Sequence, residues 1–469
     1  MIINTLLKKL KKKRLPTLQT LQINWNTNEL GKDFWIFRFG QIISIIGDNC
    51  SYVALMWWIL DKTGSAAKIS TVLAPSLFIK IFLLPLCGPL GDFFPRKWIV
   101  VCADCWRAIL TIILAVIFYL DFFYLPLIML ISILIAVGSA LFESVSISII
   151  PNIISDESKI PKAVEQTQSI ITFGAVIGGI SGGVIVTFLG IGGAFIVDAI
   201  SFIVAMIATL KIKSTCQGRN ANEGVKRSIS NSNSNSLSLI MMIKKWFADL
   251  LEGIYVIRKI PLEFGIGLVA AILNLVTSPL VVALPVLVKE ARNMPPWFLG
   301  ALEASVGVGG IVGAILVGKM LKKIHADYAI LMGIIAIGIG ISVLPRTPNL
   351  LLPLLMMFFI GMGAMITNVP IITKSTMALP DQYRSRVGSC ASFLYQMANP
   401  IGVAFSGYLI STFSLNTTLL VSGGLVIILS PLIYRIPDFK KFMRLPDDSV
   451  ATFYIKNYPE AFKQKLKQF

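Results

Sequence analysis

Long apolar runs alternate with short polar segments through most of this chain. A helix needs about 20 apolar residues to cross the roughly 30 Å hydrocarbon core of a membrane, and about twelve such runs occur between residues 35 and 435. Charged residues make up only 14% of the sequence, whereas soluble domains contain about 25%. The sequence therefore predicts an all-α integral membrane protein with twelve transmembrane helices.

A hydrophilic segment divides the apolar runs into two groups of six. From this division we predict a basic cytoplasmic segment over 1–34, six spans over 35–211, a cytoplasmic linker over 212–261, six further spans over 262–435 and a cytoplasmic tail over 436–469. Six spans, a long linker and six spans are typical of two-lobed membrane proteins with a binding site between the lobes, near the membrane centre.

The predicted linker begins as a flexible polar chain and ends as a helix. Its middle, 218–238, is rich in Ser and Asn and cannot bury a core. Apolar residues then recur at helical spacing from Ile243 to Ile257, with charged residues on the other face. This pattern favours an amphipathic helix on the cytoplasmic membrane surface, and a water-exposed connector helix is the alternative.

The net charge of +18 is unevenly distributed between alternate loops. If the N-terminus is cytoplasmic, the loops outside the cell contain few bases, namely Lys62, Lys68, Lys289, Arg292 and Arg346. This is the positive-inside pattern, and an even number of spans places both termini in the cytoplasm. The basic excess thus indicates topology and contact with anionic lipids at the cytoplasmic face, and not a nucleic-acid partner.

The sequence contains little that points to enzyme chemistry. No Gly-x-x-x-x-Gly-Lys-Ser/Thr loop occurs, which disfavours an ATP-driven pump. The single histidine, His325, lies in a predicted loop, and the pair Cys102 and Cys105 lies in an apolar run, where packing of small residues explains it. We expect no enzyme activity, no metal and no cofactor, with a proton gradient as the energy source.

The turn between the second and third apolar runs reads Gly88-Pro-Leu-Gly-Asp-Phe-Phe-Pro-Arg-Lys97. It resembles the loop 2–3 signature of the major facilitator superfamily, Gly-x-x-x-Asp-Arg-x-Gly-Arg-Lys, with Phe93 in place of Arg and Pro95 in place of Gly. Other stretches resemble the branch of macrolide-efflux pumps and enterobactin-type siderophore exporters; they cover 38–48, 60–65, 103–108, 192–202 and 384–389.

This resemblance implies two pseudo-symmetric six-helix bundles in a bacterial inner membrane. It also implies that a monomer exports an amphipathic small molecule, a drug such as a macrolide or else a siderophore, in exchange for protons by alternating access. A lysophospholipid transporter of the same fold and a membrane sensor that transports nothing are the alternatives.

The resemblance further implies a cytoplasmic charge cluster that latches the lobes together. The residues that match it are Gly88, Asp92, Arg96, Lys97, Asp104, Arg107, Arg384 and Arg386. Asp104 and Arg107 are three residues apart, so they can also pair on one helix in a purely structural role.

Ionisable residues within the apolar runs are candidates for function because burying charge in hydrocarbon is costly. Asp48 is the leading proton site, since it lies at mid-depth, about 20 Å above the cytoplasmic end of its helix, and desolvation favours its neutral form. A permanent ion pair with Lys80 is the alternative. Glu143 and Asp198 are further candidate proton sites, although a structural helix-contact role is favoured for Asp198.

Candidate substrate contacts are aromatic and amide side chains, which suit an amphipathic ligand. They are Trp57, Trp58, Asn274, Asn368, Tyr395, Gln396 and Asn399, together with Lys80 if the substrate is anionic. The aromatic residues could instead anchor the helices at the membrane interface.

Glycines recur every four residues in the fifth apolar run, at Gly174, Gly178 and Gly182. A face without side chains lets a neighbouring helix approach closely. Exporters of the superfamily often have Gly-x-x-x-Gly-Pro-x-x-Gly in this run, and here Gly179 replaces the proline. Export therefore remains favoured, and ordinary close packing is the alternative.

Overall fold

The computed structural model of the chain describes residues 30–87, 90, 94–149, 153–154, 159–212, 251–347 and 349–462. Gly88, Asp92, most of the predicted N-terminal segment and much of the predicted linker lie outside these residues. The described part of the chain consists of α-helices, short 3-10 and π turns and connecting segments, and no β-strand occurs in it. The predicted all-α fold is confirmed.

The first bundle consists of six helices. Four of them are α1 (Lys32–Thr63), α2 (Ala66–Cys87), α3 (Arg96–Tyr119) and α4 (Leu125–Ser148). The range Ile160–Leu210 then contains two more, α5 over 160–189 and α6 over 191–210. The chain reverses between them at Gly190, where φ is 72° and ψ is 179°, a conformation that a residue without Cβ adopts readily.

Two of the six crossings in the second bundle are interrupted. The seventh crossing is divided into α7 (Pro261–Thr277) and α8 (Pro279–Val286), followed by a π turn, Leu287–Ala291. Three continuous helices follow: α9 (Pro296–Met320), α10 (Ala326–Val343) and α11 (Leu351–Ala378). The eleventh crossing is divided into α12 (Asp381–Gln396) and α13 (Asn399–Phe413), and α14 (Leu415–Leu429) is the twelfth.

Length and apolar composition agree with this count of crossings. Ten helices among the described residues are long and apolar enough to span a membrane. One of the ten contains the reversal at Gly190 and so crosses twice, and α12 with α13 adds a further crossing, which gives the predicted twelve.

The two bundles meet along two seams, one between α5 and α9 and the other between α2 and α13. Small residues allow the backbones to touch at both. A Cβ added to Gly183 would lie 2.8 Å from the nitrogen of Gly300, and one added to Gly407 would lie 2.5 Å from the Cα of Ala67. Both seams lie towards the end of the molecule where α1 ends and α2 begins. We call this the outer end, because the predicted topology places it outside the cell.

The chain after the last crossing folds back under the second bundle. Three short helices, α15 (Phe439–Arg444), α16 (Asp447–Val450) and α17 (Phe453–Asn457), bury aromatic side chains against α7, α10 and α11. We call residues 436–462 the cap. Residues 251–259, at the end of the predicted linker, are helical, and Val256 and Ile257 belong to the same apolar cluster as the cap. The described part of the predicted tail is therefore an ordered part of the second bundle.

Candidate functional site

Six ionisable side chains from five helices of the first bundle form one charge cluster. Its members are Asp48 on α1, Lys80 on α2, Asp104 and Arg107 on α3, Glu143 on α4 and Asp198 on α6. If every group were ionised, four carboxylates would face two bases, a net charge of −2. An excess of acid within a membrane bundle favours binding of protons or of another cation.

Arg107 is the fixed centre of this cluster. Its side chain is only 2% exposed, and its guanidinium donates a hydrogen bond to Asp104. The guanidinium carbon lies 4.5 Å from the ring centre of Phe142 and 4.3 Å from that of Phe202. Gly138 provides the space, because an added Cβ there would lie 2.8 Å from Cγ of Arg107. Cation–π contacts and a charged hydrogen bond thus hold the base in place.

Lys80 forms an ion pair within the cluster, but its partner is Glu143 and not Asp48. Its Nζ lies 2.9 Å from Oε2 of Glu143, since α2 packs against α4. The alternative of a permanent ion pair between Asp48 and Lys80 is therefore wrong, because Lys80 pairs with Glu143. The side chains of Lys80 and Glu143 are 41% and 47% exposed.

Asp48 is the least confined acid near Arg107. Its Oδ2 lies 3.7 Å from Nη1 of Arg107, beyond hydrogen-bond distance, and its side chain is 43% exposed. Asp198, by contrast, is buried and accepts a hydrogen bond from Ser201. Gly47 allows Asp198 of α6 to lie close to α1, because a Cβ added to Gly47 would lie 2.7 Å from Oδ1 of Asp198. The Asp48 carboxylate is therefore accessible, while Asp198 is enclosed by α1 and α6.

The glycines of α5 form two stripes with different neighbours. Gly174, Gly178 and Gly182 face Ile45, Asn49 and Val53 of α1, within the first bundle. The second stripe, Gly179 and Gly183, contacts α9 of the other bundle. The stripe identified from the sequence, Gly174, Gly178 and Gly182, therefore packs inside the first bundle. The second stripe, Gly179 and Gly183, forms the seam with the second bundle.

An ion pair closes the outer end between the bundles. Lys289, in the π turn of the second bundle, donates to Asp61 at the end of α1 and lies 5.4 Å from the ring centre of Trp57. On the α5–α9 seam, the amide of Trp297 donates to Oγ1 of Thr187 at 2.9 Å. Trp57, a candidate substrate contact, therefore lies at the outer ion pair.

Trp58 occupies a different environment from Trp57. It is buried and makes edge contacts with the rings of Phe118, Phe123 and Phe195, all in the first bundle. The structure places it in the bundle core, which corrects its assignment as a cavity residue.

The interruptions of the seventh and eleventh crossings lie side by side. Asn274 donates through Nδ2 to the carbonyl of Tyr395 at 2.7 Å, and the Ser278 hydroxyl lies 3.5 Å from the carbonyl of Asn399. Pro279 follows Ser278, and Pro400 follows Asn399. Because proline has no backbone N–H to donate, these two residues explain the breaks. Interrupted helices near mid-membrane are a recurrent feature of transporter binding sites. Gln396 and Asn368 have exposed side chains, on α12 and α11.

Aromatic rings form a wall between the bundles next to these breaks. Phe78 and Phe82 of α2 are stacked with their ring centres 4.2 Å apart, and Phe82 lies 5.2 Å from Phe393 of α12. Phe78 and Phe82 are both exposed. This contact was not identified from the sequence, although the spacing of the two phenylalanines, one helical turn apart, was a signal for a shared face.

Two described bases of the proposed cytoplasmic latch, Lys97 and Arg384, bind backbone carbonyls at the ends of helices. Lys97 donates to the carbonyls of Leu210 at 2.8 Å and Ile212 at 2.7 Å, at the end of α6. Arg384 donates to the carbonyls of Thr376 and Leu379 at the end of α11. Both bases thus satisfy helix C-termini within their own bundle. Gly88, Asp92 and the Arg386 side chain lie outside the described residues, and Arg96 is half-buried at the start of α3.

A second polar site, also not identified from the sequence, joins the cap to the second bundle. Glu263, in the first turn of α7, is buried and accepts hydrogen bonds from the hydroxyls of Tyr454 and, at 3.5 Å, Tyr395. Asp327 of α10 is buried and accepts from Arg444 of the cap, with an Nη2–Oδ2 distance of 2.8 Å. The signal for this site in the sequence was the position of Glu263 and Asp327, two acids at the start of apolar runs.

Comparisons with known proteins agree with this architecture. The family model described as Major Facilitator Superfamily matches residues 38–399. An uncharacterized MFS-type transporter of Bacillus subtilis is 22% identical over 402 residues, covering 85% of this chain and 90% of that protein. Macrolide efflux protein A of Streptococcus pyogenes is 21% identical over 416 residues, covering 87% and 96%. An inward-facing structure of a bacterial homolog to the human lysosomal transporter Spinster superposes with a TM-score of 0.68 at 14% identity, covering 88% and 98%.

Proposed function

The chain belongs to the major facilitator superfamily of membrane transporters, and on that premise we propose that it exports amphipathic cations in exchange for protons. The observation that carries this proposal is the acid-rich cluster of the first bundle. In it each base already faces an acid, and Asp48 remains open to a ligand.

The setting of Asp48 supports the proposed proton coupling. Its carboxylate lies at mid-helix, partly exposed and beyond hydrogen-bond distance of Arg107. A carboxylate in that position attracts either a proton or a cationic substrate, and it binds them in competition because both neutralise the same charge. Competition for one site is sufficient to couple two flows when the lobes alternate between the two sides.

The occupancy of the two bases supports the proposed preference for cations. Lys80 pairs with Glu143, and Arg107 is enclosed between two rings with Asp104 as its partner. An anionic siderophore, or the phosphate of a lysophospholipid, would have to displace one of these acids. The exposed rings of Phe78 and Phe82 provide an apolar surface for the rest of an amphipathic molecule.

Export is supported by the similarity to macrolide efflux protein A along most of both chains. We propose that a cationic macrolide or a drug of similar chemistry is the substrate. We place the protein as a monomer in the inner membrane of a bacterium, with both termini in the cytoplasm and anionic lipids around the basic cytoplasmic face.

The transport cycle then begins with the lobes closed at the outer end, where the two seams and the Asp61–Lys289 ion pair join the bundles. Asp48 releases its proton to the cytoplasm and binds the cationic substrate. Rocking of the lobes opens the outer end, where a proton displaces the substrate.

Transport in proteoliposomes tests this function directly. With an imposed proton gradient, we expect the wild-type protein to move a radiolabelled cationic macrolide, and an uncoupler to abolish the movement. Asp48→Asn should fold and yet transport no more than empty liposomes. Asp121→Asn is the matched control, because Asp121 lies in an exposed outer turn and pairs with Lys62. The proposal is contradicted if macrolide transport is unchanged by the uncoupler, or if the Asp48→Asn protein transports macrolide. A wild-type protein that moves nothing supports the sensor alternative.

A further inference from the structure

A groove lies where the cap meets the end of the twelfth crossing. It is at the inner end of the second bundle, opposite the outer end. Its volume is about 430 Å³, within the range of roughly 300–1,000 Å³ found for small-molecule sites. Tyr434 and Ile436 line it from the end of the twelfth crossing, and Lys440, Lys441 and Arg444 line it from α15. Neither the charge cluster nor the aromatic wall contributes a residue to this groove.

The groove has a fixed frame. Arg444 donates to both oxygens of the buried Asp327 carboxylate at the start of α10, and its guanidinium carbon lies 5.2 Å from the ring centre of Tyr328. The Tyr434 hydroxyl donates to the backbone carbonyl of Asp327 at 3.3 Å. Phe439, at the start of α15, is buried. These contacts hold α15 at the ends of α10 and α14, so that its lysines occupy a defined position.

The charge of the groove is positive. Lys440 and Lys441 are exposed, and neither forms an ion pair with an acid in the described part of the chain. Asp438 is the acid in the lining, and its carboxylate accepts a hydrogen bond from the Tyr458 hydroxyl at 2.8 Å. The arginine is balanced by its partner acid on α10. Two lysines against one aspartate therefore leave a net charge of +1, which attracts an anion.

The groove also lies next to the lipid-facing surface of the second bundle. The helices α10 and α14 pack against each other. Near the groove both expose apolar or aromatic side chains, namely Tyr328 and Met332 on α10 and Leu425 and Ile428 on α14. Tyrosines at the ends of membrane helices favour the headgroup level, and Tyr328 and Tyr434 both have this position. A phospholipid with its headgroup in the groove can therefore lay its acyl chains along α10 and α14.

We propose that this groove is a binding site for one anionic phospholipid, with Lys440 and Lys441 as the contacts of its phosphate. The phosphodiester of phosphatidylglycerol carries a single negative charge, which balances the net charge of the groove. A soluble phosphate ester has the same phosphate chemistry but leaves the apolar faces of α10 and α14 uncovered. The bound lipid joins the cap to these two helices and stabilises the second bundle. The site goes beyond the proposed function and does not depend on transport.

Lipid titration of the purified full chain in detergent tests the site, with bound lipid counted by native mass spectrometry. In low-salt buffer we expect the wild-type protein to bind dioleoyl phosphatidylglycerol in preference to dioleoyl phosphatidylcholine. Phosphatidylglycerol should also raise the midpoint of thermal unfolding, because it binds the folded state. The double variant Lys440→Gln with Lys441→Gln should bind phosphatidylglycerol about 30-fold more weakly and lose the rise in the midpoint.

Two further double variants control for overall charge and for folding. Lys322→Gln with Lys323→Gln removes two adjacent exposed lysines from the turn between α9 and α10, outside the lining of the groove, and should bind phosphatidylglycerol as the wild-type protein does. Lys440→Arg with Lys441→Arg keeps the charge and should retain binding. Without lipid, all three double variants should unfold at the wild-type midpoint, because the replaced side chains are exposed.

Three outcomes would overturn the inference. If both lipids bind equally well, the groove does not recognise an anionic headgroup. If the variant of Lys322 and Lys323 loses as much binding as the variant of Lys440 and Lys441, overall charge attracts the lipid and the groove is not a site. If glycerol phosphate binds as tightly as phosphatidylglycerol and depends on the same two lysines, the ligand is a soluble phosphate ester.

Discussion

The Nζ atom of Lys80 lies 2.9 Å from Oε2 of Glu143, and this pair leaves Arg107 as the base next to Asp48. The pairing determines the charge that a ligand meets between the bundles. Lys80 is neutralised by its partner, so the accessible surplus of the cluster is negative.

Neutralising either member of the Lys80–Glu143 pair should shift cation binding in opposite directions. Lys80→Met leaves Glu143 without a partner and should tighten binding of a fluorescent lipophilic cation, whereas Glu143→Gln should weaken it. Each effect should be about 1 kcal/mol or less, because the pair is partly exposed and screened. Binding titrations in detergent measure this, with an uncharged analogue as control. Equal shifts for the charged and uncharged probes would contradict an electrostatic origin.

Arg107 should be essential for folding as well as for the site. Arg107→Met leaves Asp104 buried without its partner, which we expect to destabilise the first bundle by about 3–5 kcal/mol. Arg107→Lys should also destabilise it, since an ammonium cannot lie flat between Phe142 and Phe202. Thermal unfolding in detergent measures both. Arg346→Met, at an exposed outer position, is the control and should unfold as the wild-type protein does.

Reversal of the outer ion pair tests the closed state. Asp61→Lys places two bases together and should open the outer end, seen as faster hydrogen exchange of α5 and α9 near the seam. The double variant Asp61→Lys with Lys289→Asp should restore protection. If the double variant exchanges as fast as Asp61→Lys alone, the pair does not hold the bundles together.

A side chain at Gly183 should prevent closure of the same seam. A Cβ there would lie 2.5 Å from the carbonyl of Pro296, so Gly183→Val should disfavour the closed arrangement by about 1–3 kcal/mol and reduce export. Gly424→Val is the matched control, because a Cβ at Gly424 meets nothing within 4 Å. Normal export by Gly183→Val would show that this contact is dispensable.

The cap should contribute to stability through Tyr454. Tyr454→Phe removes a hydrogen bond to the buried Glu263 carboxylate, at an expected cost of about 1–3 kcal/mol. Tyr124→Phe, in an exposed turn, should have no effect. The midpoint of thermal unfolding is the measurement, and identical midpoints for the two variants would show that the cap contact carries no stability.

Much of the candidate site could be named from the sequence, because acids and bases within apolar runs are conspicuous. Asp48, Lys80, Asp104, Arg107, Glu143 and Asp198 were all identifiable in this way. Their partners were not, since pairing depends on how each helix is rotated and tilted, which spacing along one helix does not reveal. Lys80 and Asp48 lie at similar estimated depths, yet α2 turns Lys80 towards α4 and Glu143.

The sequence by itself determined the number of crossings, the division into two bundles and the family, because the membrane allows a chain to cross only as helices of sufficient apolar length. Only the tertiary structure decided which glycine stripe of α5 meets the other bundle, since Gly178 and Gly179 differ by one residue, about 100° of rotation on a helix. It also decided that the chain beyond the last crossing folds under α7, because burial of Phe439, Phe442 and Tyr454 depends on an apolar surface that exists only once the bundle has formed.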